Sequence, residues 1–279
     1  MKKNQKKLLP PIGAKIQTLG IFLNFSTRTQ MQKTTFRILS FLFLIALFSC
    51  DSENAPNCFQ TSGTKTTKEV AVENFDKINI SQGIELIIKE GPETKVIVES
   101  GQNLISGITA EVSEGQLYLR NSNGCNWVRD YNDTKVYVTT PTLINVYSSS
   151  QFGVKSDGVL SFPVLTLQSG MFSNTASGTF ELEVNCGGLT IEDNESSYFK
   201  ISGNAATLNV NFYDGNARFN GSNLIADQVH CFQRSSNDII VNPITKISGT
   251  IYSSGNIILK NTPSTIEVTQ LYQGHLIYP

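Results

Sequence analysis

The feature of this sequence that most constrains its fold is a repeat of short apolar strands that begins near residue 140. Each repeat opens with an apolar segment, and a second short strand follows it before the next polar corner. The opening segments start at Leu143, Leu165, Leu189, Leu208, Val229 and Thr250. Starts about 21 residues apart are typical of a β-solenoid, whose stacked coils share one apolar core.

Glycine and proline mark the corners of these repeats, because both favour turns over continued strands. The predicted corner residues are Gly158, Gly178, Gly203, Gly221, Pro243 and Pro263. A β-sandwich whose hairpins repeat at a similar spacing is the alternative fold. Sustained helical spacing of apolar residues is missing after residue 60, so the sequence predicts an all-β chain.

Residues 70–140 show the same alternation of apolar and polar residues without a fixed period. The predicted strands lie at residues 78–80, 84–88, 95–98, 116–119 and 135–138. Turn residues such as Gly83 and Gly101 separate them. We therefore expect an irregular meander of short strands at 70–140, followed by the repeats at 141–279, in a single domain.

The first 49 residues differ in charge from the rest and indicate a targeting segment. They hold eight of the 22 basic residues and none of the 23 acidic ones. Lys33 and Arg37 precede an apolar run at 38–48, which has the length of a signal peptide and is short for a membrane span. Met31, just before this flank, is a second candidate for the start of translation.

The apolar run ends in Ser49-Cys50, which resembles the lipobox of bacterial lipoproteins. This resemblance implies that Cys50 is acylated and becomes the mature N-terminus. Residues 50–69 are then a polar tether. Two acyl chains would hold the protein on one membrane leaflet, so we expect a lipid-anchored protein of the outer membrane, either periplasmic or exposed at the cell surface.

The remaining cysteines fall into two groups. Cys58 lies in the tether and Cys125 lies in a polar loop, and we favour a disulfide between them, because an envelope location permits one. Cys186 and Cys231 lie in apolar strand patterns, where a buried free thiol is common. The sequence has no Cys-x-x-Cys pair and no Cys/His cluster, so we expect no zinc or other metal site.

A pattern spread over the chain from residue 70 onward resembles the "putative auto-transporter adhesin, head-GIN-domain" family. It comprises Phe75-Asp76-Lys77-Ile78-Asn79-Ile80, the strands at 83–88, 96–99, 117–119 and 136–143, and the Gly/Ser-rich repeats after them. Members of this family are mostly envelope proteins of Bacteroidetes. The resemblance implies a right-handed parallel β-helix and carries no catalytic signature.

Residue types that could support catalysis are present but do not form a recognisable site. His230 and Cys231 are neighbours on a strand, so their side chains point to opposite faces. The serine pairs lack a nucleophile-elbow motif. Glu192, Asp193, Asp214 and Asp238 could stack into a carboxylate ladder that binds Ca²⁺, or could serve a polysaccharide lyase or hydrolase with Arg218 or Arg234.

Aromatic residues recur through the repeats and are the best candidates for ligand contacts. We single out Tyr198, Tyr213 and Tyr252, because tyrosine on a β-face can stack on sugars or anchor a protein partner. After removal of residues 1–49 the chain has a net charge of −9, which disfavours nucleic acid as a partner. A glycan or an envelope protein is the expected ligand.

The function predicted from the sequence is a non-enzymatic adhesion, ligand-binding or scaffold module of the cell envelope that needs no cofactor. Two alternatives remain open. One is a carbohydrate-active enzyme on a β-helix, and the other is an envelope sensor or regulatory partner protein.

Overall fold

The computed structural model describes residues 36, 37, 40, 59–124, 134–172 and 177–279. Nearly all of the secondary structure is strand, with one 3-10 turn at Ile105–Gly107. The strands are β1 (Lys65–Val70), β2 (Lys77–Ile80), β3 (Glu85–Glu90), β4 (Lys95–Gly101), β5 (Ile108–Ser113), β6 (Gln116–Asn121), β7 (Lys135–Thr140), β8 (Asn145–Ser148), β9 (Val154–Leu160), β10 (Val164–Ser169), β11 (Thr179–Asp193), β12 (Tyr198–Phe212), β13 (Arg218–Gln233), β14 (Ile239–Ile251), β15 (Ile257–Leu259), β16 (Thr265–Gln270) and β17 (Leu276–Ile277).

The strands pair into two long stacks, and most pairs are parallel. The first stack runs β5-β6-β2-β8-β10 and continues through the C-terminal halves of β11, β12, β13 and β14 to β16. The second runs β1-β4-β7-β3-β9 and continues through the N-terminal halves of the same long strands to β15 and β17. This parallel stacking confirms the predicted β-solenoid and excludes the β-sandwich.

Pairing in the N-terminal region departs from the expected meander. The strands are short, as predicted, but β2 pairs in parallel with both β6 and β8, and β3 pairs in parallel with both β7 and β9. The coil formed by β2 and β3 therefore lies between two coils that follow it in sequence. Antiparallel strands β1 and β5 end the two stacks on this side.

The predicted starts of the repeats align with one another in the middle of the solenoid but not at the first and last of them. Leu165, Leu189, Leu208 and Val229 stack directly on one another, as their sequence positions suggested. The next residue in this column is Ile247, three residues before the predicted Thr250. Leu165 aligns with Ile144 instead of Leu143, because Thr166 pairs with Asn145.

Stacked apolar side chains fill the interior, where like residues recur above one another. The largest fully buried side chains include Phe180, Phe199, Phe212 and Phe219. The rings of Phe180 and Phe199 stack with centroids 4.6 Å apart, a spacing set by adjacent strands. Cys186 and Cys231 are buried free thiols, as the apolar pattern predicted, and burial raises their pKa values to about 11 and about 12.

Buried polar side chains line the interior corner at which the individual strands of the first stack end. Ser148, Asp193 and Gln233 are all buried there, and the strand register places them at equivalent positions of different coils. In each case a side-chain oxygen accepts a hydrogen bond from the backbone N–H two residues later. The bonds satisfy backbone donors that the turn would otherwise leave unpaired inside the protein.

Candidate functional site

The outer face of the first stack carries a continuous line of contacting polar side chains. Asn145 Nδ2 donates to Gln168 Oε1 at 2.7 Å, and Gln168 Nε2 donates to Glu192 Oε2 at 2.6 Å. The hydroxyl of Tyr213 donates to the other carboxylate oxygen of Glu192 at 2.8 Å. Burial and this contact with Glu192 raise the pKa of Tyr213 to about 12, so its hydroxyl stays protonated and keeps donating.

Aromatic rings continue this line toward the C-terminal coils, and we name Tyr213, Phe232 and Tyr252 the aromatic row. Phe232 lies with its ring centroid 5.7 Å from that of Tyr213 and 4.8 Å from that of Tyr252. The ring planes are tilted by 44° and 37°, respectively. The structure thus brings together two of the three tyrosines predicted as ligand contacts, through Phe232, another of the aromatic residues that recur through the repeats.

Exposed apolar side chains extend the aromatic row by one coil. Backbone hydrogen bonds place Leu271 directly beyond Tyr252, because each donates to the strand before it at the same point of the coil. Tyr252 is 42% exposed, and Leu271 and Tyr272 are each 61% exposed. The aromatic row and its extension therefore form an exposed apolar surface beside the line of contacting polar side chains.

Tyr198 lies on the second stack and does not join the aromatic row. The guanidinium of Arg218 lies 5.5 Å from its ring centroid, and its hydroxyl accepts a hydrogen bond from Asn220 Nδ2 at 3.3 Å. These contacts occupy both the ring and the hydroxyl. Tyr198 and Arg218 are thus neighbours in a separate part of the surface.

Paired charges cover the outer face of the second stack. Lys155 Nζ lies 2.7 Å from a carboxylate oxygen of the buried Glu85, and Lys135 Nζ lies 4.0 Å from the other oxygen. Lys200 and Glu181 pair at 2.6 Å on the next strands. The hydrogen bond that Lys155 donates to Glu85 raises the pKa of Lys155, and the hydrogen bond from Lys200 lowers the pKa of Glu181.

A groove of about 360 Å³ opens on this charged face. Its floor is formed by β11 and β12, with Glu181, Glu183, Lys200 and Ser202. Ser156 and Gly158 of β9 line one side, and Asn220, Ser222 and Asn223 of β13 line the other. The sequence did not predict this groove, because Gly158 and Gly221 were interpreted as corner residues, whereas the structure places them within β9 and β13.

The acidic residues predicted to form a carboxylate ladder are dispersed. Glu192 faces outward, whereas Asp193 is fully buried in the interior. Asp214 accepts a hydrogen bond from the neighbouring Gly215 N–H, and Asp238 accepts two from Asn256. Within the described residues, no group of three His, Cys, Asp or Glu side chains is arranged to hold a metal ion.

A family comparison places the described fold among known proteins. The family model for "Putative auto-transporter adhesin, head GIN domain" matches residues 74–263. The chain belongs to this family. The head GIN match thus confirms the resemblance seen in the sequence, whereas no curated protein matches this chain.

Solved structures with the same fold cover nearly all of the region that contains the strands. A "putative adhesin" from Bacteroides fragilis is 17% identical with a TM-score of 0.69, and the match covers 78% of this chain and 99% of that one. A "putative adhesin" from Parabacteroides distasonis is 15% identical with a TM-score of 0.59, covering 78% and 99%. A "putative lipid binding protein" from the same species is 16% identical with a TM-score of 0.58, covering 78% and 98%. At identities this low, the structural matches establish the fold alone and do not identify a ligand.

Three predicted residues lie outside the described part of the chain. These are Cys50, the expected acylation site, and Cys58 and Cys125, the expected disulfide partners. Among the residues that the structure does describe, no helix is both long and apolar enough to cross a membrane.

Proposed function

We propose that this chain is a non-enzymatic adhesion module of the cell envelope, anchored through an acylated Cys50, that holds a protein partner against the aromatic row. The aromatic row and its exposed extension carry the proposal. Membership of a family described as adhesins supports it, as does the basic, apolar segment that precedes Cys50.

The exposure of the row supports a role in binding. Large apolar side chains clustered on successive coils form a patch that water solvates poorly, and such patches on soluble surfaces often mark sites of interaction. Tyrosine and phenylalanine contribute much of the binding energy at protein interfaces. Tyr252, Leu271 and Tyr272 supply this chemistry at one corner of the solenoid.

The packing of the rings favours a protein over a glycan at this surface. Sugar rings stack on the flat faces of aromatic side chains. In the row, the ring of Phe232 lies between those of Tyr213 and Tyr252, with centroids 5.7 Å and 4.8 Å away and tilts of 44° and 37°, so the neighbouring rings leave no continuous flat face for a sugar. Tyr252 and Leu271 remain exposed, and their irregular apolar surface suits a protein partner.

The carboxylates of the described region fit binding better than hydrolysis or elimination on a polysaccharide. Asp193 lies inside the solenoid, out of reach of a polymer. Glu181 has a lowered pKa because Lys200 pairs with it, so it is ionised at neutral pH and a poor proton donor. We therefore favour the adhesion module over the carbohydrate-active enzyme. A regulatory role remains compatible with the same contact surface.

Site-specific photo-cross-linking in living cells tests the proposal. A photoreactive phenylalanine analogue replaces Tyr252 in the full chain, and a matched control carries it at Tyr137, on the second stack. We expect irradiation to give a discrete cross-linked protein adduct from position 252 and none from 137, and Phe232→Ser to reduce the adduct several-fold. Absence of an adduct at 252, or equal adducts at both positions, would refute the aromatic row as the contact surface.

A further inference from the structure

The groove on the second stack is built by irregular pairing on both of its sides. In β9, four positions separate Lys155 from Val159, whereas their partners Glu181 and Glu183 in β11 are two apart. The pairing of β12 with β13 also shifts register between Lys200 and Ser202. Extra residues of this kind are β-bulges, which bend a strand locally and are common beside binding sites.

Between the bulges, β11 and β12 form the floor of the groove, and residues of β9 and β13 line its two sides. The strands follow one another in the order β9-β11-β12-β13, so the axes of the two side strands lie about 14 Å apart. Gly158 has φ +92° in the β9 bulge, a conformation that side-chain-bearing residues rarely adopt. The resulting groove spans these four strands and extends three to four residues along each of them, enough space for a short segment of one linear polymer chain.

Several polar side chains in the groove have no partner within the described part of the chain. Glu183, Ser202 and Asn223 make no side-chain hydrogen bond or ion pair there, and Glu183 and Asn223 are exposed. Ser156 Oγ is already an acceptor for the Glu183 backbone N–H at 3.0 Å. The groove thus presents a carboxylate acceptor, a hydroxyl and an amide that can bind a ligand without breaking an internal contact.

Charge and polarity narrow the class of ligand. Glu181 and Glu183 outnumber Lys200, so the groove repels phosphate, sulfate and uronate groups. Leu182 and Ile201 on the floor strands face the interior and are buried, so the groove offers little apolar surface to a lipid. A ligand with many hydroxyl groups and no charge satisfies donors and acceptors together. We propose that this groove binds a short segment of uncharged glycan over the floor formed by β11 and β12.

This site is independent of the aromatic row, which lies on the other stack, so either can fail alone. Isothermal titration calorimetry of the full-length protein with cellohexaose, mannohexaose and N-acetylated chitohexaose tests it. We expect at least one of these uncharged hexasaccharides to bind with a dissociation constant below about 1 mM. Glu183→Ala and Asn223→Ala should each weaken that binding at least tenfold.

Matched controls separate a specific groove from general surface effects. Asp227→Ala removes an exposed carboxylate from β13 outside the groove, and Phe232→Ser alters the aromatic row. Both should bind the hexasaccharide as the unaltered protein does. The inference is overturned if none of the three hexasaccharides binds at millimolar concentration, if the groove variants bind normally, or if hexagalacturonate, a polyanion of similar length, binds as tightly.

Discussion

Asp193 brings a carboxyl group into the interior of the solenoid at a position where Gln233, two coils later, brings an amide. Both side chains accept the backbone N–H of the following turn, Asp193 from Glu195 at 2.6 Å and Gln233 from Ser235 at 3.1 Å. Gln233 also donates through Nε2 to the carbonyl of Asn237. The second oxygen of Asp193 has no hydrogen-bond partner within the described residues, so its ionised form is poorly solvated.

Burial raises the pKa of Asp193 to about 7, and the nearby carboxylate of Glu195 adds to the rise. Because the folded state binds this proton more tightly than the unfolded chain does, the contribution to stability is complete below about pH 4. This contribution falls as the pH rises from about 4 through about 7. At higher pH, the stability no longer changes with the ionisation of this residue. The rise from 3.8 corresponds to about 4 kcal/mol as an upper limit.

Asp193→Asn keeps the oxygen that accepts the Glu195 N–H and removes the buried charge. We expect the variant to be more stable than the natural protein by about 2 kcal/mol at pH 8, with a difference that shrinks toward pH 4. Urea unfolding at pH 4, 6 and 8 measures both free energies of unfolding. A stability difference that does not change across these pH values would contradict a raised pKa at this residue.

At the scale of the elements, alternation in the sequence predicted most strands, because each has one buried and one outward face. It did not predict the end of the repeat, where the coil between Val229 and Ile247 is 18 residues long. There the segment 246–251 is part of a strand, with Ile247 and Ile251 facing inward. Between them lies Gly249, a residue type that usually indicates a turn. Alternation did not predict the bulges either. A bulge arises where one of two paired strands has more residues than the other between the same partners, and the sequence of a single strand does not show this.

Gly203 shows how closely the coils approach at a corner that the sequence did predict. It has φ +106°, and a Cβ at this position would lie 2.0 Å from the carbonyl oxygen of Val184 on the adjacent coil. Gly203→Ala must therefore strain the backbone and push two strands apart. We expect a loss of at least about 2 kcal/mol in the free energy of unfolding.

Gly188→Ala is the matched control for that substitution. Gly188 also lies within a long strand, but a Cβ there meets its nearest side-chain atoms at 3.5 Å, an ordinary contact distance. Thermal and urea unfolding of both variants should show a clear loss for Gly203→Ala and little change for Gly188→Ala. Equal stability of the two would mean that the coils do not approach as closely at Gly203 as described.

At the scale of the whole molecule, the sequence predicted the solenoid but not the order of its first coils. The period of the repeat and the alternation of apolar and polar residues indicate which residues face inward. These two patterns were sufficient to align β10 through β13. The insertion of the coil of β2 and β3 between later coils depends on pairings between residues 39 to 68 positions apart. Short strands with similar alternation fit several neighbours, so local patterns do not select among them.

The proposed anchor belongs to the same scale, since it determines where the solenoid is held. We expect Cys50→Ser to abolish acylation, because the hydroxyl is not a substrate for thiol diacylation, and to move the protein from the membrane fraction to the soluble fraction. Cys58→Ser is the control, since it removes a nearby thiol and spares the lipobox. Metabolic labelling with an alkyne fatty acid, followed by cell fractionation, reads out both steps. Continued labelling of Cys50→Ser, or its retention in the membrane fraction, would rule out Cys50 as the anchor.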